Sequence, residues 1–135
     1  MLKKSICGML LFAISLLPAT APGQDVPAGK WWRNSKIVKE LNLTQQEVGA
    51  LDQLYAQSRR KLIELKNNVE REQFELDNLL GSKNAEDTEV KRQFKKLETA
   101  RSDLSNERFR FVMQIRDIIG HDRFEQLKTS YKKWK

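Results

Sequence analysis

Cysteine, histidine, proline and glycine are all scarce in this 135-residue chain, which holds one Cys, one His, three Pro and six Gly. One cysteine excludes a disulfide framework and a Cys-rich zinc site. The low Pro and Gly contents exclude collagenous and mucin-like classes. No glycine-rich phosphate loop is present, and no local motif supports a Ser-His-Asp or Cys-His arrangement. Neither enzymatic activity nor a cofactor is expected. What remains is Leu-rich and highly charged, with 39% hydrophobic and 32% charged residues, the composition of long helices.

The first 23 residues read as an address. A basic start at Lys3 and Lys4 precedes an uncharged, mostly apolar run over residues 5–17, then Pro18 and small residues. That is the order of a secretory signal peptide, with cleavage expected after Gly23 and Ala21 as the alternative site. The run is shorter than the roughly 20 residues a spanning helix needs, so an uncleaved anchor is the lesser reading. Cys7, Lys3 and Lys4 leave with the signal. Residues 24–135 then carry 23 basic and 18 acidic side chains. Export without cysteine suits a bacterial periplasm, with no stable membrane insertion after cleavage.

Residues 24–30 contain Pro27 and Gly29 and are expected to form a flexible leader. Residues 31–135 form the predicted domain. Residues 31–41 read as a short helix. Thr44 and Glu47 then make a capping box. Apolar positions step in threes and fours through Val48, Leu51, Tyr55, Leu62, Leu65, Val69, Leu76 and Leu79, interrupted only by Ser58 and Glu72. This 3.5-residue period predicts a helix over 45–80, about 54 Å long. Gly81 ends it, and Asn84 is the expected cap of the next helix. Val90, Leu97, Leu104, Phe111 and Ile118 recur at sevens, with Phe94, Arg101, Arg108 and Ile115 as the expected alternate seam positions. Gly120 ends that helix, Asp122 and Glu125 resemble a further capping pair, and a short basic helix follows. The predicted fold class is all-α: a long antiparallel helical hairpin flanked by two short helices. Such a hairpin cannot bury both faces of its helices, so a homodimer is expected.

Few residues are candidates for chemistry. His121 is the one candidate metal ligand. It stands beside Asp122 at a helix start, where a solvated turn residue is the favoured reading, because zinc sites take three or four protein ligands. Glu70 and Glu72 lie among charges of both signs and read as a solvated face. The basic excess lies wholly in the second half, where residues 81–135 hold fourteen basic and nine acidic side chains. A basic stripe attracts nucleic acid, anionic lipid or acidic protein. Export argues against nucleic acid, and no DNA-binding motif is present. In a hairpin whose paired residue numbers sum to about 170, Arg101 falls near Glu72, and a pair that fixes register is favoured. The alternative places Arg101 and Arg108 on an open face beside Phe109 and Phe111. Arg59, Arg60 and Lys61 read as a solvated patch. Trp31, Trp32 and Trp134 are expected to meet at one pole and seal it.

The segment Leu41-Asn42-Leu43-Thr44-Gln45-Gln46-Glu47 opening the long helix resembles the repeated Leu-Thr-x-x-Gln motif of the Spy/CpxP family of periplasmic stress proteins. Glu47 stands where that family has Gln. A degenerate second copy falls at Ile119-Gly120-His121-Asp122-Arg123-Phe124. The resemblance spans residues 31–135 and marks Leu43, Thr44, Glu47, Ile119, Asp122 and Arg123 as motif positions. It implies a cradle-shaped homodimer acting as an ATP-independent holdase chaperone for unfolded or misfolded envelope proteins. On that reading the candidate client-binding residues are Arg59, Arg60, Lys61, Arg101, Arg108, Phe109 and Phe111. The alternative is an accessory protein of metal resistance or stress signalling, binding a divalent metal or the periplasmic domain of a sensor kinase. Metal-handling relatives rely on His-rich or Cys-containing sequences, which this chain lacks.

Overall fold

Thr44 and Glu47 set the start of the first long helix. In the computed structural model, which describes residues 29–134, the Thr44 hydroxyl accepts from the Glu47 backbone N–H at 3.1 Å. Glu47 Oε1 in turn accepts from the Thr44 N–H at 3.0 Å. The expected capping box is therefore formed in both directions. The signal segment, residues 24–28 of the leader and the side chain of Trp134 lie outside the description.

A 3₁₀ turn at Trp31–Arg33 leads into α1 (Ser35–Glu40), α2 (Gln45–Gly81), α3 (Asp87–Ile119) and α4 (His121–Trp134). Every regular element among the described residues is helical. None is long and apolar enough to cross a membrane. The two long helices run about 55 and 50 Å at 1.5 Å per residue. They lie antiparallel, as pairings such as Glu72 with Gln93 and Tyr55 with Phe111 show.

Three boundaries differ from the sequence expectation. Residues 31–41 are not one helix, because the Asn34 side chain accepts from the Lys36 N–H at 3.0 Å and caps a new start. Asn42, at φ 51°, then closes α1 with bonds from Asn42 N to Lys39 O and from Leu43 N to Val38 O. That is a Schellman ending, with Asn in place of Gly. Asn84 does not cap α3. Its N-terminal boundary is Glu86, whose side chain makes no capping bond, and Asp87 and Glu89 in the first turn face the positive end of the helix dipole. Asp122 and Glu125 form no capping pair either. Gly120, at φ 83° and ψ 162°, accepts from the Phe124 N–H, so α4 begins at once. Only glycine adopts that backbone conformation readily, and it lets the chain turn between α3 and α4 with no linker.

The core is concentrated at the pole where the short elements gather. Trp31 and Trp32 sit edge to face at 5.4 Å and are buried with Ile37, Leu41, Leu51, Ile115, Ile119 and Leu127. Both tryptophans thus seal the pole as expected. Each fully buried Leu or Ile contributes about 1.5–3 kcal/mol of transfer free energy, so this end carries most of the stabilisation. Beyond it the hairpin is two helices thick. Its seam is a single file of Leu65, Leu76, Leu97 and Leu104, with Gln93 donating from Nε2 to the Glu72 carboxylate at 2.6 Å and to the Glu72 carbonyl at 3.1 Å.

A clasp closes the pole. Arg123 donates in a fork to both carboxylate oxygens of Glu47, and its Nε donates to the Ile119 carbonyl at 2.7 Å. The Arg123 fork, followed by the capping-box bonds to Thr44, holds the Glu47 carboxyl down to about 2. A folded value below the usual 4.5 stabilises the fold above pH 4.5, and that contribution is lost as pH falls toward 2. Glu47→Gln is expected to lower stability by roughly 1–3 kcal/mol at pH 7 in urea denaturation, a partly buried pair lying between the exposed and buried cases. The gap to wild type should shrink by more than half at pH 2. An equal gap at both pH values would show that the clasp is not ionic.

Candidate functional site

Away from the pole each long helix is covered on one side only, so the two flanks of the hairpin are the surfaces open to partners. Steps of about 100° per residue assign side chains to them. The buried stripe of α3 is Gln93, Leu97, Ala100, Leu104, Glu107 and Ile115. Gln93, Ala100 and Glu107 lie one residue before the expected alternate positions Phe94, Arg101 and Arg108, while Ile115 is buried as expected. Phe94, Arg101 and Arg108 therefore turn out of the seam onto one flank. The expected Glu72–Arg101 pair does not form. Glu72 is taken by Gln93, while Arg101 donates to Glu98 at 2.8 Å and to Gln73 at 3.0 Å.

That first flank carries a groove of about 300 Å³ between α2 and α3. Leu62 and Ile63 line it from α2, Leu104 and Phe111 from α3. Three cations stand along it, Arg59, Lys66 and Arg108, and no carboxylate lines it. Arg59 donates from Nη1 to the Tyr55 hydroxyl at 3.2 Å and lies over the ring at 6.0 Å. Lys66 and Arg108 form no ion pair among the described residues. Ser58 lies 4% exposed against the groove, and its hydroxyl has no hydrogen-bond partner among the described residues.

A relay of edge-on rings joins this groove to the pole: Trp32 to Tyr55 at 5.7 Å, then Tyr55 to Phe111 at 6.4 Å. Lys30, the last leader residue, lies over Tyr55 at 5.2 Å. Trp32 Nε1 donates to Asp52 at 2.8 Å and Arg33 pairs with the same carboxylate. These two partners, in that order, hold Asp52 below the usual carboxylate value. Tyr55 is thus fixed between a pinned aromatic pole and an open groove.

The opposite flank differs in kind. Arg71, Arg92, Lys95 and Lys96 surround an open depression of about 410 Å³ that also holds Glu72 and Asp103. Charges of both signs, with Ala100 the one apolar side chain in its lining, make it a solvated face.

Of the sequence candidates, the fold brings Arg59, Arg108 and Phe111 together in the groove. It does not bring Arg60, Lys61 or Phe109 there. Three consecutive helical residues point in three directions, so Arg60 and Lys61 splay away from Arg59. Phe109, 53% exposed, faces outward one residue beyond Arg108. Arg101 is on the same flank, about 10 Å further along the helix, and is tied to Glu98. Lys66, Ile63 and Tyr55 were missed as site residues. The i, i+4, i+7 spacing of Arg59, Ile63 and Lys66 was the available signal. Of the motif positions, Glu47, Arg123 and Ile119 meet in the clasp, Leu43 packs against the pole core, and Asp122 is solvent-exposed. His121 Nδ1 lies 3.2 Å from Asp122 Oδ1, and no cluster of three ligand-type side chains forms among the described residues.

Neither protein-family models, curated proteins nor solved structures give a match to this chain. The chemistry of the flank follows from its own residues. Apolar surface flanked by unpaired cations, open along its length, can hold extended segments weakly and without regard to sequence.

Proposed function

We propose that this protein is an exported, ATP-independent chaperone of the holdase type, with the first flank as its client surface. The observation that carries the reading is the groove itself, where Leu62, Ile63, Leu104 and Phe111 stand among Arg59, Lys66 and Arg108 with no carboxylate between them. Unfolded chains expose apolar side chains next to backbone carbonyls and carboxylates. A rigid apolar strip with mobile cations along its rim binds such segments by many small contacts, and releases them without an energy source. The resemblance of residues 31–135 to the Spy/CpxP family supports the same reading, as does the signal-like N-terminus. A metal-handling role would have to be built on His121, which has Asp122 beside it and no third ligand-type group clustered with it among the described residues.

The test is light scattering from a chemically denatured client diluted into the purified protein without ATP. Suppression of aggregation is expected for two unrelated clients at near-stoichiometric protein. The triple variant Arg59→Gln, Lys66→Gln, Arg108→Gln should lose most of it, and high salt should weaken the wild type. No suppression for either client would refute the reading.

The same reading includes a homodimer. Support comes from the distal half of the hairpin, where Phe74, Leu80 and Phe94 are 63%, 64% and 51% exposed on a section only two helices thick. Sedimentation velocity at micromolar concentration should give twice the chain mass. Phe74→Ser with Phe94→Ser should give a monomer of unchanged helical content. A wild-type monomer would contradict the pairing.

A further inference from the structure

Ser58 interrupts the apolar period of α2 at a buried position. A buried helical serine usually donates to the carbonyl one turn back; this hydroxyl donates to nothing among the described residues. Ser58 lines the groove that holds Arg59, Lys66 and Arg108. From this arrangement we infer that the groove is a binding site for a single-chain carboxylate amphiphile, a fatty-acid-type ligand.

The chemistry is complementary in each part. Leu62, Leu104 and Phe111 offer an apolar bed for an alkyl body. The volume of about 300 Å³ is at the small end of the range for ligand sites, which suits a chain of medium length. Arg108 carries a guanidinium fork with no ion-pair partner among the described residues, the geometry that takes a carboxylate with two parallel bonds. Ser58 supplies a neutral donor. Arg59 and Lys66 are seven residues apart on α2, about 10 Å along the axis, with apolar side chains between them. A compact dianion such as phosphate would meet these cations but leave the apolar bed uncovered. The opposite flank lacks these features, because Glu72 and Asp103 stand among its cations.

The inference is independent of the chaperone reading. A titration with no client present decides it separately. Calorimetric titration of the purified protein would use decanoate, decyltrimethylammonium and acetate, all below micelle-forming concentrations. Decanoate should bind with one site per chain, the cationic amphiphile at least about tenfold more weakly, and acetate not measurably. Arg108→Gln and Lys66→Gln should each weaken decanoate about tenfold, as loss of a charge-assisted contact does. Ser58→Ala should weaken it several-fold, and Arg101→Gln should leave it unchanged. Should Ser58→Ala fold poorly, the two surface variants carry the test. Equal binding of the anionic and cationic amphiphiles would overturn the inference, as would no binding of decanoate, or unchanged affinity in the Arg108→Gln, Lys66→Gln double variant.

Discussion

Arg123 reaches across the pole to Glu47, 76 positions earlier in the chain, and grips it with both terminal nitrogens while its Nε holds the Ile119 carbonyl. Glu47 is at the same time half of the capping box that starts α2. One carboxylate therefore locks the first turn of one long helix to the junction between the other long helix and α4. The tryptophans, Leu41, Ile115 and Leu127 fill the space this closure encloses. Besides the clasp, the short elements are held by the apolar core, by Trp32 and Arg33 on Asp52 and by the Gln126 amide on the Glu40 carbonyl. With the clasp, α2 and α3 leave the pole at a set spacing, and the rest of the hairpin follows from that start.

A displacement of one residue in α3 decides what the hairpin can present. Because Gln93, Ala100 and Glu107 take the seam, Arg101 and Arg108 lie on a flank, where Arg101 bonds to Glu98 and Gln73 and Arg108 lines the groove. The polar lock of the seam is Gln93 on Glu72, a bond that sets register without needing an arginine. Small Ala100 and Ser58 in the seam let the helices approach, and the larger side chains beside them form the groove walls. The cationic rim and the apolar floor are thus by-products of a register that the pole imposes.

Much of this was legible in advance. The capping box, the two glycine stops and the α2 period are each local, and local signals survive folding: the helix from Gln45 to Gly81 matches its predicted span closely. Other features depended on contacts between distant residues. Heptads counted from Val90 gave a seam at Phe94, Arg101 and Arg108, yet one partner, Glu72, prefers the shorter amide at Gln93. Asn84 has the residue type of a cap, yet Glu86 starts α3 without any side-chain cap, while Asn34, inside a segment read as one helix, caps α1. The groove escaped notice because its residues were sorted separately as seam, such as Tyr55 and Phe111, or as a surface triplet, such as Arg59.

The central claim is that stability is anchored at the clasped pole and declines along the two-helix section. Native-state hydrogen exchange, resolved by residue, tests it directly. The slowest amides should lie in α2 near Leu51 and in α3 near Ile115, with protection falling steadily toward Leu76 and Gln93. Removing Arg123 should flatten that gradient by lowering the pole. Uniform protection along both helices, or a maximum at the distal end, would contradict the account.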